Sequence, residues 1–171
     1  PEKKIYNYSD FKEKKLDEVI ENYDIFILPP KTLDDQNIKF DFVINTRSFM
    51  EMNKITIKEY FDLIQTKINK NGFFLNINRY LKSTSGENIK IEEYPYDSLW
   101  NVEISKKSFL QDGIHFFLVS RQNYEGDIGK ELLILKNSNK KYKSLIFEKL
   151  GTIKNYFLMF FYLILKIIFT S

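Results

Sequence analysis

Between Phe40 and Asn78 the hydrophobic period changes twice, and this restricts the fold more than any other feature of the chain. "FDFVIN", Phe40 to Asn45, is a short apolar run that stops at polar residues, the pattern of a strand buried on both faces. Ile57, Tyr60, Phe61, Ile64 and Ile68 then recur on one helical face, with Thr56, Ile57, Lys58 and Glu59 in the form of a capping box at its start. Asn71 and Gly72 can take the left-handed conformation that ends a helix, and "FFLNIN", Phe73 to Asn78, resumes a strand at once. Strand, helix and strand in this length make a βαβ unit, which requires parallel strands and a right-handed crossover. The fold class predicted is α/β.

Upstream, Leu16, Val19, Ile20 and Tyr23 are spaced as a short amphipathic helix after Ser9 and Asp10. "DIFILPP" follows, an apolar run from Ile25 to Leu28 that Pro29 and Pro30 bar from continuing, again read as a strand buried on both faces. Downstream of the flexible "KSTSGEN" lie two more strand patterns, "WNVEIS" and "IHFFLVS". The loop between them is short, so they are expected to be antiparallel.

In open α/β sheets ligands bind beyond the carboxyl ends of the parallel strands, where loops leave backbone groups free. Asn45, Thr46, Arg47 and Ser48 occupy that position on one strand, Asn78, Arg79 and Tyr80 on the next, and Pro29 and Pro30 on the first. An antiparallel last strand would begin at the same edge and bring His115 to its rim.

Composition narrows the chemistry. The 171 residues suffice for one ordinary core, and the absence of cysteine excludes disulfides, thiolate zinc and a cysteine nucleophile. One histidine argues against a histidine-rich metal site, so no metal is expected. The net charge of +3 arises from lysines interspersed with nearly as many acids, a solvated surface rather than a nucleic-acid footprint. No signal peptide opens the chain, in keeping with a cytoplasmic location.

Four stretches in this order and spacing, "FDFVINTRSFMEM", "GFFLNINRY", "EYPYDSLWNVEISKKSF" and "IHFFLVSR", resemble the later part of the sugar O-methyltransferases, which are similar to class I S-adenosylmethionine-dependent methyltransferases. The resemblance covers roughly residues 1–122 and implies a partial Rossmann-like sheet, strands 3 to 7, with the last antiparallel. An enzyme of that class carries a glycine-rich loop after its first strand and an acidic residue after its second. Neither has a counterpart upstream of Ile25, and Gly126 and Gly129 form no G-x-G pattern. The chain therefore resembles a C-terminal half, expected to use S-adenosylmethionine only if the other half is supplied.

On this resemblance Pro29, Pro30 and the row Asn45 to Ser48 are cofactor candidates, while Asn78, Arg79 and Tyr80 would contact a sugar or glycan substrate. Arg47 could clamp a sugar hydroxyl, an acidic substituent or the methionine carboxylate, or else pair with Glu51. The proton acceptor would be Glu51 or His115; the alternatives are a first-turn helix carboxylate and a satisfied structural histidine. Trp100 is expected in the core, and Tyr94 and Tyr96 brace the crossover or line a sugar platform.

Residues 123–151 read as a charged linker or appendage and 152–171 as a hydrophobic helical tail. Tyr156 to Phe169 is apolar except for Lys166 and follows a lysine-bearing flank. It is shorter than a spanning helix, but suits a membrane surface at the inner face or a partner subunit. A non-catalytic remnant or membrane-surface protein anchored by this segment is thus the alternative to an enzyme. A nucleotide-binding module of another kind lacks its phosphate loop.

Overall fold

In the computed structural model the helix expected from the spacing runs from Lys54 to Lys67, and its buried stripe is Ile57, Phe61 and Ile64, continued by Ile68. It starts earlier than the capping-box reading placed it. Asn53 is the cap: its side-chain carbonyl accepts the backbone N–H of Thr56 at 2.8 Å, satisfying a donor that the first turn leaves open. Described residues are 2–7, 16–34, 36–82, 87–109 and 111–138, and they divide into two compact units, Pro1–Phe40 and Asp41–Ser171.

The elements in chain order are β1 (Ile5–Asn7), α1 (Leu16–Val19), β2 (Ile25–Ile27), β3 (Phe40–Thr46), α2 (Lys54–Lys67), β4 (Ile68–Arg79), β5 (Leu81–Lys82), β6 (Ile89–Lys90), β7 (Trp100–Lys107), β8 (Ile114–Arg121) and α3 (Ile128–Ser138). Strands β3, β4, β8 and β7 form one sheet in that order. Contacts between β3 and β4 advance in the same direction: Asn69 donates to Asp41 at 2.7 Å near their starts, and Asn78 donates to Asn45 at 2.7 Å near their ends. The pair is therefore parallel, with α2 as its crossover. Strand β8 is antiparallel to both neighbours, as expected for the last strand.

Two expectations about this unit change. Asn71 does take the left-handed conformation, with φ 63°, but inside β4 rather than at the helix end, because α2 closes at Lys67 and the strand begins directly at Ile68. Strand β3 is not buried on both faces. Its Val43 packs against the core, whereas Phe42 and Ile44 on the other face are exposed. Burial there depends on a covering layer, which an apolar run cannot report by itself.

The main core lies between the sheet and α2. Phe49, Phe61, Phe74, Tyr94 and Trp100 are buried there. Their rings meet edge to face or tilted; Phe61 and Tyr96, for instance, lie 4.7 Å apart at 84°. Tyr94 and Tyr96 thus brace the interior. Trp100 is fully buried, its Nε1 donating to Gln65 Oε1 at 3.0 Å, which also accepts the Asp97 N–H. Arg121 lies 4.9 Å over the Trp100 ring and forms a two-pronged ion pair with Asp97.

The smaller unit, Pro1–Phe40, is built on β1 and β2, paired in parallel with Tyr6 opposite Phe26. Leu16 and Val19 of α1 are buried with Tyr6, and Tyr23, Phe26, Leu28, Leu33 and Ile38 pack around them. The helix itself is one turn, continued by a 3-10 turn at Ile20–Asn22. The run before Pro29 yields only three strand residues, in a two-stranded sheet of its own, with Ile25 and Ile27 exposed. This differs from a strand buried on both faces within a single five-stranded sheet.

Residues 123–138 are not a linker. Helix α3 places Ile128 and Leu135 in the main core, with Leu132 packed against it, and Asp127 at its start accepts the Val102 N–H at 2.7 Å. Helix start and strand edge are thereby joined. Gly126 passes close against that edge: its N–H donates to Ser98 O at 2.8 Å, and an added Cβ would lie 2.0 Å from the carbonyl oxygen of Trp100. Residues 139–171, including the apolar tail, lie outside the described residues, as do Ser9, Asp10 and Ser83 to Gly86.

Gly126→Ala should therefore destabilise the protein by about 1–3 kcal/mol, since the obstructing atoms are backbone. Gly129→Ala, with open space around its Cβ on α3, should lose nothing and gain up to about 1 kcal/mol from helix propensity. Denaturant midpoints of the two variants test the contrast.

Candidate functional site at the sheet edge

Parallel pairing carries the carboxyl ends of β3 and β4 to the same edge, and antiparallel β8 begins there, with His115 opposite Asn78 and Ile114 opposite Arg79. The segments Asn45 to Ser48, Asn78 to Tyr80 and His115 accordingly meet at one edge. Pro29 and Pro30 belong to the Pro1–Phe40 unit, where exposed Pro29 is extended and Pro30 opens a 3-10 turn.

Arg47 turns the chain at the end of β3. Its φ is 60°, a conformation that side-chain-bearing residues adopt only when the surroundings hold them. Here its N–H donates to Ile77 O at 2.8 Å, and the next turn, Phe49–Glu51, buries Phe49 and Met50. The guanidinium is sent outward, where it donates to Gln111 Oε1 at 3.2 Å. No Arg47–Glu51 ion pair forms among the described residues; Glu51 is exposed at the end of its turn. Arg79 is half-buried at the end of β4, and Thr46 is exposed.

Beneath this edge runs a chain of amides. Asn45 Nδ2 donates to Ser48 Oγ, Asn78 Nδ2 donates to Asn45 Oδ1 and to Asn76 Oδ1, and Asn76 Nδ2 donates to Tyr96 Oη at 3.0 Å. Asn76 and Asn78 are both fully buried. Asn78 Oδ1 has no partner, a cost of about 1–3 kcal/mol for a buried acceptor. That acceptor suits a donor from outside the chain.

His115 belongs to a second buried chain. Ser105 Oγ donates to Glu131 Oε1, so it accepts from His115 Nε2–H at 2.9 Å; His115 Nδ1 then accepts the Tyr80 hydroxyl at 2.7 Å. The carboxylate of Glu131 sets the direction of the whole series. With 1% exposure and both ring nitrogens engaged, His115 lies under the edge rather than open at its rim, which corrects the expected position. Burial lowers its pKa to about 4, so at neutral pH the ring is uncharged. Burial also raises the pKa of Tyr94 and Tyr96, which remain phenols.

Asn76 carried a signal in the sequence: it precedes Asn78 by two, the period that puts both on one strand face. Ser105, Glu131 and Gln111 carried none, since each is joined to these residues only through tertiary contacts. Among the described residues no cluster of side chains suits a metal ion, and no helix is long and apolar enough to cross a membrane.

The sign of the pH effect follows from the depressed His115 pKa. The unfolded state, with an ordinary value near 6.5, binds the proton first, so this contribution is complete above that pH and is lost as pH falls toward 4. Between pH 7 and pH 4 the wild-type protein should lose about 3 kcal/mol through this group. His115→Gln should flatten the corresponding part of a stability–pH profile measured by urea unfolding.

No family model matches the sequence, and no curated protein matches it. Among solved structures the fold is similar to that of TehB from Haemophilus influenzae, at 14% identity and a TM-score of 0.43, over 68% of this chain and 48% of TehB. The chain thus spans about half the length of TehB, and so distant a likeness bears on neither ancestry nor activity.

Proposed function

We propose that this chain supplies the substrate-side half of an S-adenosylmethionine-dependent methyltransferase acting on a sugar hydroxyl. The observation that carries the reading is the shared edge: Arg47 and Arg79 leave the ends of two parallel strands, where such sheets bind ligands, and the last strand is antiparallel as the sequence resemblance implies. When bound, the cofactor supplies an electrophilic methyl group on a sulfonium.

The residues present suit one part of such a ligand. The outward guanidinium of Arg47 matches a carboxylate, flanked by Asn45, Thr46 and Ser48, and the unpartnered Asn78 Oδ1 matches a donor. The chain has no glycine-rich loop for the nucleoside. Arg79 and Tyr80, beside Asn78, would hold the sugar, so that positioning does most of the catalytic work. Exposed Glu51 would accept the proton of the sugar hydroxyl. His115 communicates with the edge only through the Tyr80 hydroxyl.

Calorimetric titration of this chain alone with S-adenosylmethionine should show weak or no binding; tight one-to-one binding would refute the half-site reading. In a protein that also contains a glycine-rich half, transfer of labelled methyl groups to sugars should fall about 10- to 100-fold in kcat/KM for Arg47→Ala and for Arg79→Ala. Arg47→Lys should not restore it, because a point charge does not reproduce a planar fork. Transfer undiminished in both alanine variants would remove the edge from the mechanism.

A further inference from the structure

The hairpin of β7 and β8 turns at the same sheet edge as the candidate site, and its tip is firmly held. Lys107 and Asp112 pair at 2.7 Å, the Ser108 N–H donates to Ile114 O at 2.8 Å, and Ser108 Oγ accepts the Gln111 N–H at 3.2 Å. Gly113, with φ 80°, turns the chain back, and its carbonyl accepts the Tyr80 N–H at 2.9 Å, which ties the tip to the end of β4. Gln111 ties it to the end of β3, since its Oε1 accepts from Arg47 at 3.2 Å. On this anchored loop Phe109 is 86% exposed, more than any other large apolar side chain among the described residues. A single exposed apolar residue is ordinary on a protein surface. What sets Phe109 apart is that its loop is bonded to both strand ends of the candidate site.

We infer that Phe109 is the platform of the sugar subsite: the C–H-bearing face of a pyranose ring lies on the phenyl ring, while hydroxyls at the sugar's rim reach Arg47 and Gln111. This assignment rests on the sugar reading above and extends it to a side chain outside the two strand ends. The chemistry at the rim fits. With Oε1 engaged by Arg47, the Gln111 amide offers its N–H groups, and these join the guanidinium as donors to hydroxyl oxygens. Tyr94 and Tyr96, which brace the interior, leave the platform to another aromatic ring. Size decides between occupants. A phenylalanine buries about 150–250 Å², whereas a stable contact between proteins covers about 800 Å² on each partner, so one ring matches a small ligand. A membrane surface suits the tip poorly, because Asp112 is exposed three residues away and anionic headgroups repel a carboxylate.

The test is an NMR titration of the full chain with the methyl pyranosides of glucose, galactose and mannose. At least one should bind, shifting the amide signals of Gln111 and Gly113, with saturation transfer concentrated on the C–H protons of one sugar face. Phe109→Ala should weaken that binding about five- to tenfold and Phe109→Trp should keep it. The side chain is exposed, so the urea midpoint of Phe109→Ala should match that of the wild type. Equal affinity in Phe109→Ala overturns the platform and leaves the sugar reading standing. Binding of none of the three glycosides overturns it as well, while methyl transfer to sugars in a protein that also contains a glycine-rich half decides that reading separately. A sedimentation coefficient that rises with concentration in the wild type but not in Phe109→Ala overturns the proposal by assigning the ring to a second copy. Pelleting with anionic phospholipid vesicles that Phe109→Ala abolishes does so by assigning it to a membrane.

Discussion

Parallel pairing of two consecutive strands obliges the chain to cross back over the sheet, and everything distinctive in this protein depends on that crossover. Phe61 of α2 is fully buried against Phe49 and Phe74, with ring centroids 5.5 and 5.8 Å away. This packing holds the turn after β3 and the body of β4 to one helix. It is also why the ends of the two strands emerge together, with the N–H of Arg47 bonded to the carbonyl of Ile77. A polar edge on an apolar sheet is the consequence.

Beneath that edge the interior is unusually polar. Asn76, Asn78 and His115 are all buried, and nearly every polar atom in their two networks has a partner. In a low-dielectric interior such networks hold side chains in single arrangements when satisfied and cost stability when not. The two networks divide the work accordingly. The series from Glu131 to Tyr80 is complete and holds the start of β8 in place. The amide series leaves one buried acceptor, Asn78 Oδ1, without a hydrogen-bond partner.

Much of the organisation could be read in advance, and the failures have identifiable causes. The stripe of α2 was legible because Ile57, Phe61, Ile64 and Ile68 repeat with the helical period. Helix α3 was not, because Leu133 and Ile134 are apolar yet exposed and blur the stripe made by Ile128, Leu132 and Leu135. The start of α2 was set by Asn53, whose capping carbonyl outcompetes the downstream Thr56. In β2 and β3 an apolar run does not bring burial on both faces, because burial is a property of what packs on the strand.

What the sequence determined by itself is local: an α/β fold with a parallel crossover, and polar residues where the apolar runs of β3 and β4 stop. These follow from periodicity and turn chemistry, which act over a few residues. Which side chains meet is another matter. Ser105 and His115 are 10 residues apart, Ser105 and Glu131 are 26, and Tyr80 and His115 are 35, so only the folded sheet brings them together. The tertiary structure also decided that the single histidine is a neutral, buried link and not an open base, because desolvation depends on neighbours drawn from the whole chain.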